Sequence, residues 1–175
     1  MSFKLHEKNI MIDLETADSK CTSAILSIGA VKFNADGIYD EFYTNVDLQS
    51  CIDAGLTVGG ATFEWWMRQS FEAKKALFAM PIDLEEALLS FSEWAESSEY
   101  CIWGNGSDFD NVILANAFDT CGLPLPWKFY NNRCYRTVKK ILNSEVPASV
   151  GIKHNALADA KTQAIHLIDI ARGSY

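Results

Sequence analysis

Residues 10–16 read IMIDLET, an apolar strand-like run that ought to be interior, yet it ends in two acids. In a strand, side chains alternate between faces, so Asp13 and Glu15, two residues apart, turn to the same side. Two like charges held that close repel each other unless something positive lies between them. A solvent-facing edge would relieve the repulsion, and so would a bound metal ion.

The segments that follow limit the fold. Strands are expected over residues 10–15, 24–33 and about 38–46, with NADG at 34–37 joining the last two as a hairpin turn. Residues 47–61 read as a connection, after which Thr62 can cap a helix and Ser70 offers a second cap where that helix restarts. Asp83 with Glu86 fits a capping box for a helix running to about residue 96. YCIWG, 100–104, is a short buried strand, and Ser107 with Asp110 form another capping-box pair ahead of a helix that Gly122 and Pro124 end. RTVKKILN reads as a short helix, and Asn155 can cap a last one reaching about residue 172. The order β-β-β-α-α-β-α-(β)-α-α implies an α/β fold in one domain, 1–175, whose mixed sheet carries helices on its faces.

The 175 residues are 49% apolar and 22% charged, as in a globular protein with a real core. No apolar run is long enough to cross a bilayer, and the N-terminus lacks the apolar core of a signal peptide. The five cysteines are scattered without a CxxC pair, which fits reduced thiols in a cytoplasmic protein and argues against a zinc site. A net charge of −8 by itself disfavours nucleic acid. Residues 128–140, KFYNNRCYRTVKK, run the other way, with five basic residues and no acid. Aromatics interleave there, so the strip is either a single-strand-binding surface or a solvated helix start beside core rings.

Two more acids stand at junctions: Asp110 in the first turn of the helix after YCIWG, and Asp159 in the first turn of the last helix. Helix starts at strand ends are where α/β proteins build sites. If these ends meet Asp13 and Glu15, four carboxylates share one pocket, which requires divalent cations, and all-oxygen ligands point to Mg²⁺ or Mn²⁺. His154, five residues before Asp159, lies just outside the helix and is the natural general base. Each of these residues also has a plain structural reading as a cap, a solvated first-turn acid or a surface histidine.

Taken together, D-x-E in an opening strand, an Asp in a strand–helix junction and H-x₄-D near the C-terminus resemble the DEDDh 3′–5′ exonucleases, the RNase T-like and proofreading group with a ribonuclease H-like fold. The stretches MIDLET, ILSIGAV, EWWMRQS, WGNGSDFDNVIL and HNALADA look like the branch of prophage exodeoxyribonuclease VIII-type proteins and small RNase T-like exoribonucleases. The resemblance implies a centre of Asp13, Glu15, Asp110, His154 and Asp159 with two metal ions. Asp13, Glu15 and Asp159 would be the metal ligands, Asp110 would reach the second ion through water, and His154 would be the base. It also implies that Leu14 and Thr16 contact the terminal nucleotide.

Trp65 and Trp66, adjacent on a helix, point about 100° apart. Packing of both competes with one of them, assigned as Trp66, stacking on a base, and Asn105 is expected to orient the second-motif loop. The expected partner is single-stranded or overhanging RNA or DNA, with homodimerisation open. A non-catalytic nucleic-acid-binding module and a ribonuclease H-like endonuclease are the competing readings.

Overall fold

The computed structural model describes residues 3–149, 151 and 154–173. Strands β1 (Asn9–Thr16), β2 (Ile25–Asn34) and β3 (Gly37–Asn45) form an antiparallel meander. Helices α1 (Leu48–Asp53), α2 (Gly60–Met67), α3 (Phe71–Leu77) and α4 (Leu84–Ala95) follow. Strand β4 (Cys101–Gly104) runs parallel to β1, and helix α5 (Asp110–Thr120) leads to a 3₁₀ turn at Phe129–Asn131. Strand β5 (Asn132–Cys134), parallel to β4, leads into α6 (Tyr135–Leu142), and the last helix is α7 (Ala156–Arg172). The five-stranded sheet has the order β3-β2-β1-β4-β5, the mixed sheet expected.

Three local expectations change. The connection at 47–61 contains α1, capped by the Asp47 carboxylate on the Ser50 N–H at 2.9 Å. Helix α2 begins ahead of Thr62, because the Gly59 N–H is tied to the Ala17 carbonyl at 2.9 Å and the Gly59 carbonyl takes the Phe63 N–H. Ser107 and Asp110 form no capping box: Phe109 occupies the cap, and the Asp110 carboxylate reaches out of its own helix, as described below. The caps expected at Ser70, Asp83 and Asn155 are present, each side chain accepting an N–H from its own first turn.

Alternation in β1 divides the core. Ile10, Ile12 and Leu14 pack on the side of α4 and α5, with Phe91, Leu88, Ile113 and Phe118. Met11 turns to the other side, where Val31, Phe33, Trp103 and Tyr135 meet the apolar stripe Ala160, Ala164, Leu167 and Ile168 of α7. Asp13 and Glu15 continue the row that Met11 begins, so they lie on the face that α6 and α7 cover.

How closely α7 approaches is set by Gly29, the partner of Asp13 in the β1–β2 register. A Cβ at Gly29 would lie 2.2 Å from the main chain of Ala156 and Leu157. Only a residue without a side chain lets the start of α7 rest on the sheet beside the two acids.

Candidate active site

Three chain segments bring their acids to one end of β1. Asp13 and Glu15 come from the strand itself, Asp110 from the first turn of α5, and Asp159 from the first turn of α7. The Asp110 carboxylate accepts the Leu14 N–H at 3.2 Å, so its helix start is anchored between the two strand acids. Gly104 permits that approach, because a Cβ there would sit 2.3 Å from the Asn111 amide oxygen and 3.1 Å from the Asp110 Cβ. Asp13, Glu15, His154 and Asp159 line a cavity of about 390 Å³, together with Asn105, Lys139 and Gln163. A larger recess, about 670 Å³, lies between the N-terminal segment and α6, but Glu7 is its one carboxylate.

The acids disturb one another. Asp13 keeps some surface on the cavity and is otherwise enclosed by protein. Burial, followed by the charges of Asp110, Glu15 and Asp159, holds its carboxyl well above the usual carboxylate range. Burial pushes Glu15 up to about 8, with Asp159 and Asp110 adding to the rise. Asp110 is raised by burial to about 6, held from rising further by N–H groups, including that of Leu14, and by the nearby Arg136 guanidinium. Protonation near neutral pH is the only relief available to such a cluster without an added cation.

Glu15, His154 and Asp159 offer ligand atoms that lie within 4.8 Å of one another, a grouping able to hold a metal ion. The buried side-chain oxygens of Asn105 and Gln163 on the same cavity have no hydrogen-bond partner among the described residues. These oxygen donors suit a hard divalent cation.

His154 is held from two directions. Its N–H donates to the Asp159 carboxylate at 3.2 Å, with the backbone in the left-handed region at φ 62°. Its ring packs edge-to-face with that of Trp65, at 4.9 Å between centroids and an interplanar angle of 84°.

The chain matches the family described as the 3′–5′ exoribonuclease Rv2179c-like domain over residues 8–171. The chain belongs to this family. It is a 3′–5′ exonuclease, and its fold is the ribonuclease H-like fold of the DEDDh nucleases it resembles.

Among solved structures it resembles the nuclease domain of 3′hExo, a DEDDh family member bound to rAMP, at 14% identity and TM-score 0.62, covering 95% of this chain and 92% of that one. It resembles exonuclease X in complex with 5′ overhanging duplex DNA at 16% identity and TM-score 0.59, covering 94% and 92%. The likeness to E. coli exonuclease I in complex with a dA16 oligonucleotide, 12% identical with TM-score 0.65, covers 96% of this chain and 43% of that larger one. Among curated proteins no sequence matches this chain.

Three side chains of residues expected to meet substrate are largely enclosed in this exonuclease. Trp66, expected to stack a base, is 8% exposed, and its indole N–H donates to the Thr16 carbonyl at 2.9 Å. That bond fixes the end of β1 and leaves Trp65, 41% exposed, as the accessible ring of the pair. The Leu14 side chain lies in the core on the face opposite the acids. The Thr16 hydroxyl is buried on the Asp18 carbonyl at 2.9 Å.

Asn105 sits in the second-motif loop, where its carbonyl accepts a hydrogen bond from Arg136. Gln163 went unnoticed in the sequence. One helical turn beyond Asp159, it donates to the Asp13 carboxylate at 2.7 Å, and its i+4 spacing from Asp159 was the available signal.

No helix among the described residues is long and apolar enough to cross a membrane.

Proposed function

We propose that this exonuclease is metal-dependent, acts on single strands or 3′ overhangs, and releases nucleoside 5′-monophosphates within one catalytic domain. The observation that carries the reading is the convergence of Asp13, Glu15, Asp110 and Asp159 from three elements, with the first three held above their ordinary carboxyl range. Asp13, Glu15 and Asp159 are the residues that would hold the ions, and Asp110 would assist through water. Two Mg²⁺ or Mn²⁺ ions bound there would neutralise the cluster, activate a water and stabilise the leaving oxygen of an in-line displacement.

The chain's own groups do the rest. Gln163 holds one oxygen of Asp13 and so orients that carboxylate. Asp110, bonded to the Leu14 N–H, ties the start of α5 to the strand acids. His154 accepts the proton lost by the attacking water. The new bond forms between that water's oxygen and phosphorus, and the bond to the 3′ oxygen of the preceding residue breaks, leaving the phosphate on the released nucleotide. Trp65, beside His154, replaces Trp66 as the ring placed to meet a base.

The family description names an exoribonuclease, and the solved neighbours hold rAMP, dA16 and duplex DNA. RNA and DNA strands of one sequence, labelled at the 5′ end, are therefore tested together as single strands and 3′ overhangs. Stepwise shortening with Mg²⁺ or Mn²⁺, abolished by chelator, is expected. Internal cuts, or equal activity in chelator, would overturn the reading.

A further inference from the structure

The basic run at residues 128–140 is not one surface. Trp127 and Tyr135 are buried, and Arg133 turns back onto the carbonyls of Tyr130 and Asn132, both at 2.9 Å. Arg133 lines the larger recess, away from the acids. Of the other four cations, Lys128 precedes the 3₁₀ turn and three lie on α6. Arg136, Lys139 and Lys140 stand at i, i+3 and i+4 on α6 and therefore share one face.

This face borders the acid cavity. Lys139 is the one lysine or arginine among the described residues lining it. Arg136 bonds the Asn105 carbonyl at the cavity's second-motif loop, and Lys140 is exposed next to Lys139. Among the described residues none of the three forms an ion pair, whereas Lys8, Lys20, Lys32, Arg68 and Lys161 all do. In a chain of net charge −8 this stripe is positive charge set beside a group of acids that repels phosphate, with Arg136 near enough to Asp110 to lower its carboxyl.

We infer that the Arg136–Lys139–Lys140 face of α6 is a phosphate track, holding the sugar-phosphate backbone of the strand upstream of the residue in the cavity. The inference rests on the proposed site and adds the path by which the strand reaches it. Along α6 the stripe spans about 6 Å, the scale of neighbouring phosphates. Lys139 is the inner contact and Lys140 the outer one. Such contacts act through charge, so they strengthen binding without sequence preference and weaken as salt rises.

Binding of a fluorescent single strand, protected by phosphorothioate linkages at its 3′ end, is measured by anisotropy across a salt series. The slope of log affinity against log salt should fall by about 0.7 for each lost phosphate contact on a single strand, hence by about 1.4 in Lys139→Gln/Lys140→Gln. The Arg pair, K139R/K140R, should restore the slope, and Lys75→Gln on α3 should leave it at the wild-type value.

Kinetics on unprotected strands should show a larger loss of kcat/KM for a decamer than for a dinucleotide. A wild-type slope in the glutamine pair, or an equal loss at both lengths, would overturn the track. A wild type that binds the protected strand with the expected slope but shortens no unprotected one would overturn the catalytic reading and leave the track standing.

Discussion

Strands β1 and β2 carry buried charge on both faces of the sheet, and the two faces treat it differently. On the α4 side, Lys32 is 2% exposed. Its ammonium lies 3.2 Å from Asp40, its direct neighbour across the β2–β3 register, 3.3 Å from Glu96, and 4.8 Å from the centre of the Trp94 ring. The chain supplies both signs. On the α7 side, Asp13 and Glu15 have Asp110 and Asp159 as neighbours, and among the described residues no ion pair reaches Asp13, Glu15 or Asp110. Gln163 and backbone N–H groups give hydrogen bonds without charge, and the Arg136 guanidinium offsets Asp110 only in part. A buried charge that the fold itself balances serves the fold. A buried cluster of one sign is stable only when neutralised from outside, by protons or by cations.

The largest effect should come from removing charge on the unbalanced side. Asp13→Asn keeps the size of the side chain. It should lower kcat/KM on a single-stranded oligonucleotide by at least about a thousandfold, since charge stabilisation by a bound metal contributes several kcal/mol. In chelator the same variant should melt higher than wild type. Each kcal/mol relieved raises the midpoint by about 2–4 °C for a chain of this size. Initial rates and thermal melts check both halves. Activity within about tenfold of wild type would remove Asp13 from the centre, and a lower melting point in chelator would mean that the Gln163 bond already satisfies the carboxylate.

A second test titrates the cluster instead of cutting it. Glu15 has an ordinary value of 4.5 and is pushed up to about 8 in the folded chain. Between those two values the native protein keeps a proton that the unfolded chain has lost, so metal-free stability falls as pH rises through that window. The full loss for Glu15 is on the order of 3–5 kcal/mol. Mg²⁺ binds the deprotonated form, so its stabilisation should grow as pH rises and flatten the decline. Denaturant midpoints from about pH 4.5 to about pH 8, with chelator and with Mg²⁺, would show two diverging curves. Parallel curves would mean that the cation and the carboxyl protons do not compete for the same site.

The sequence shows the unbalanced cluster more readily than the balanced one, for a physical reason. Two acids ending the apolar run IMIDLET contradict their own surroundings, and the alternation of a strand places them on one face whatever the rest of the chain does. Asp110 and Asp159 follow from their position in helix first turns, and the order of the sheet follows from a hairpin and short connections. Lys32 gives no such sign, because its partners Asp40 and Glu96 and the Trp94 ring are assembled only by the packing of β3 and α4.

Trp65 and Trp66 were not separable for the same kind of reason. A difference of about 100° on a helix does not say which ring faces inward. The bond from Trp66 to the Thr16 carbonyl, which decides it, joins residues fifty positions apart. Gly29 looks like any strand glycine until α7 is laid against it.

The smallest effect should come from the balanced side, where Lys32→Met gives the sharpest contrast. Breaking a buried ion pair costs about 3–5 kcal/mol when the charge left behind is itself buried. Here the remaining acids are on the surface side, with Asp40 and Glu96 side chains 45% and 70% exposed, so water solvates them once the ammonium is gone. Methionine fills similar volume against Trp94 and Tyr100, and the lost cation–π contact is worth about 0.5–2 kcal/mol. The desolvation that Lys32 no longer suffers offsets that loss, so unfolding free energy should change by no more than about 1 kcal/mol. Activity should stay at the wild-type level, because the substitution lies on the face away from the cavity. Urea melts and single-strand digestion read the two quantities. A loss above about 3 kcal/mol would show that the acids around Lys32 are as dependent on their counter-charge as the cluster across the sheet. The contrast would then be one of sign and not of balance.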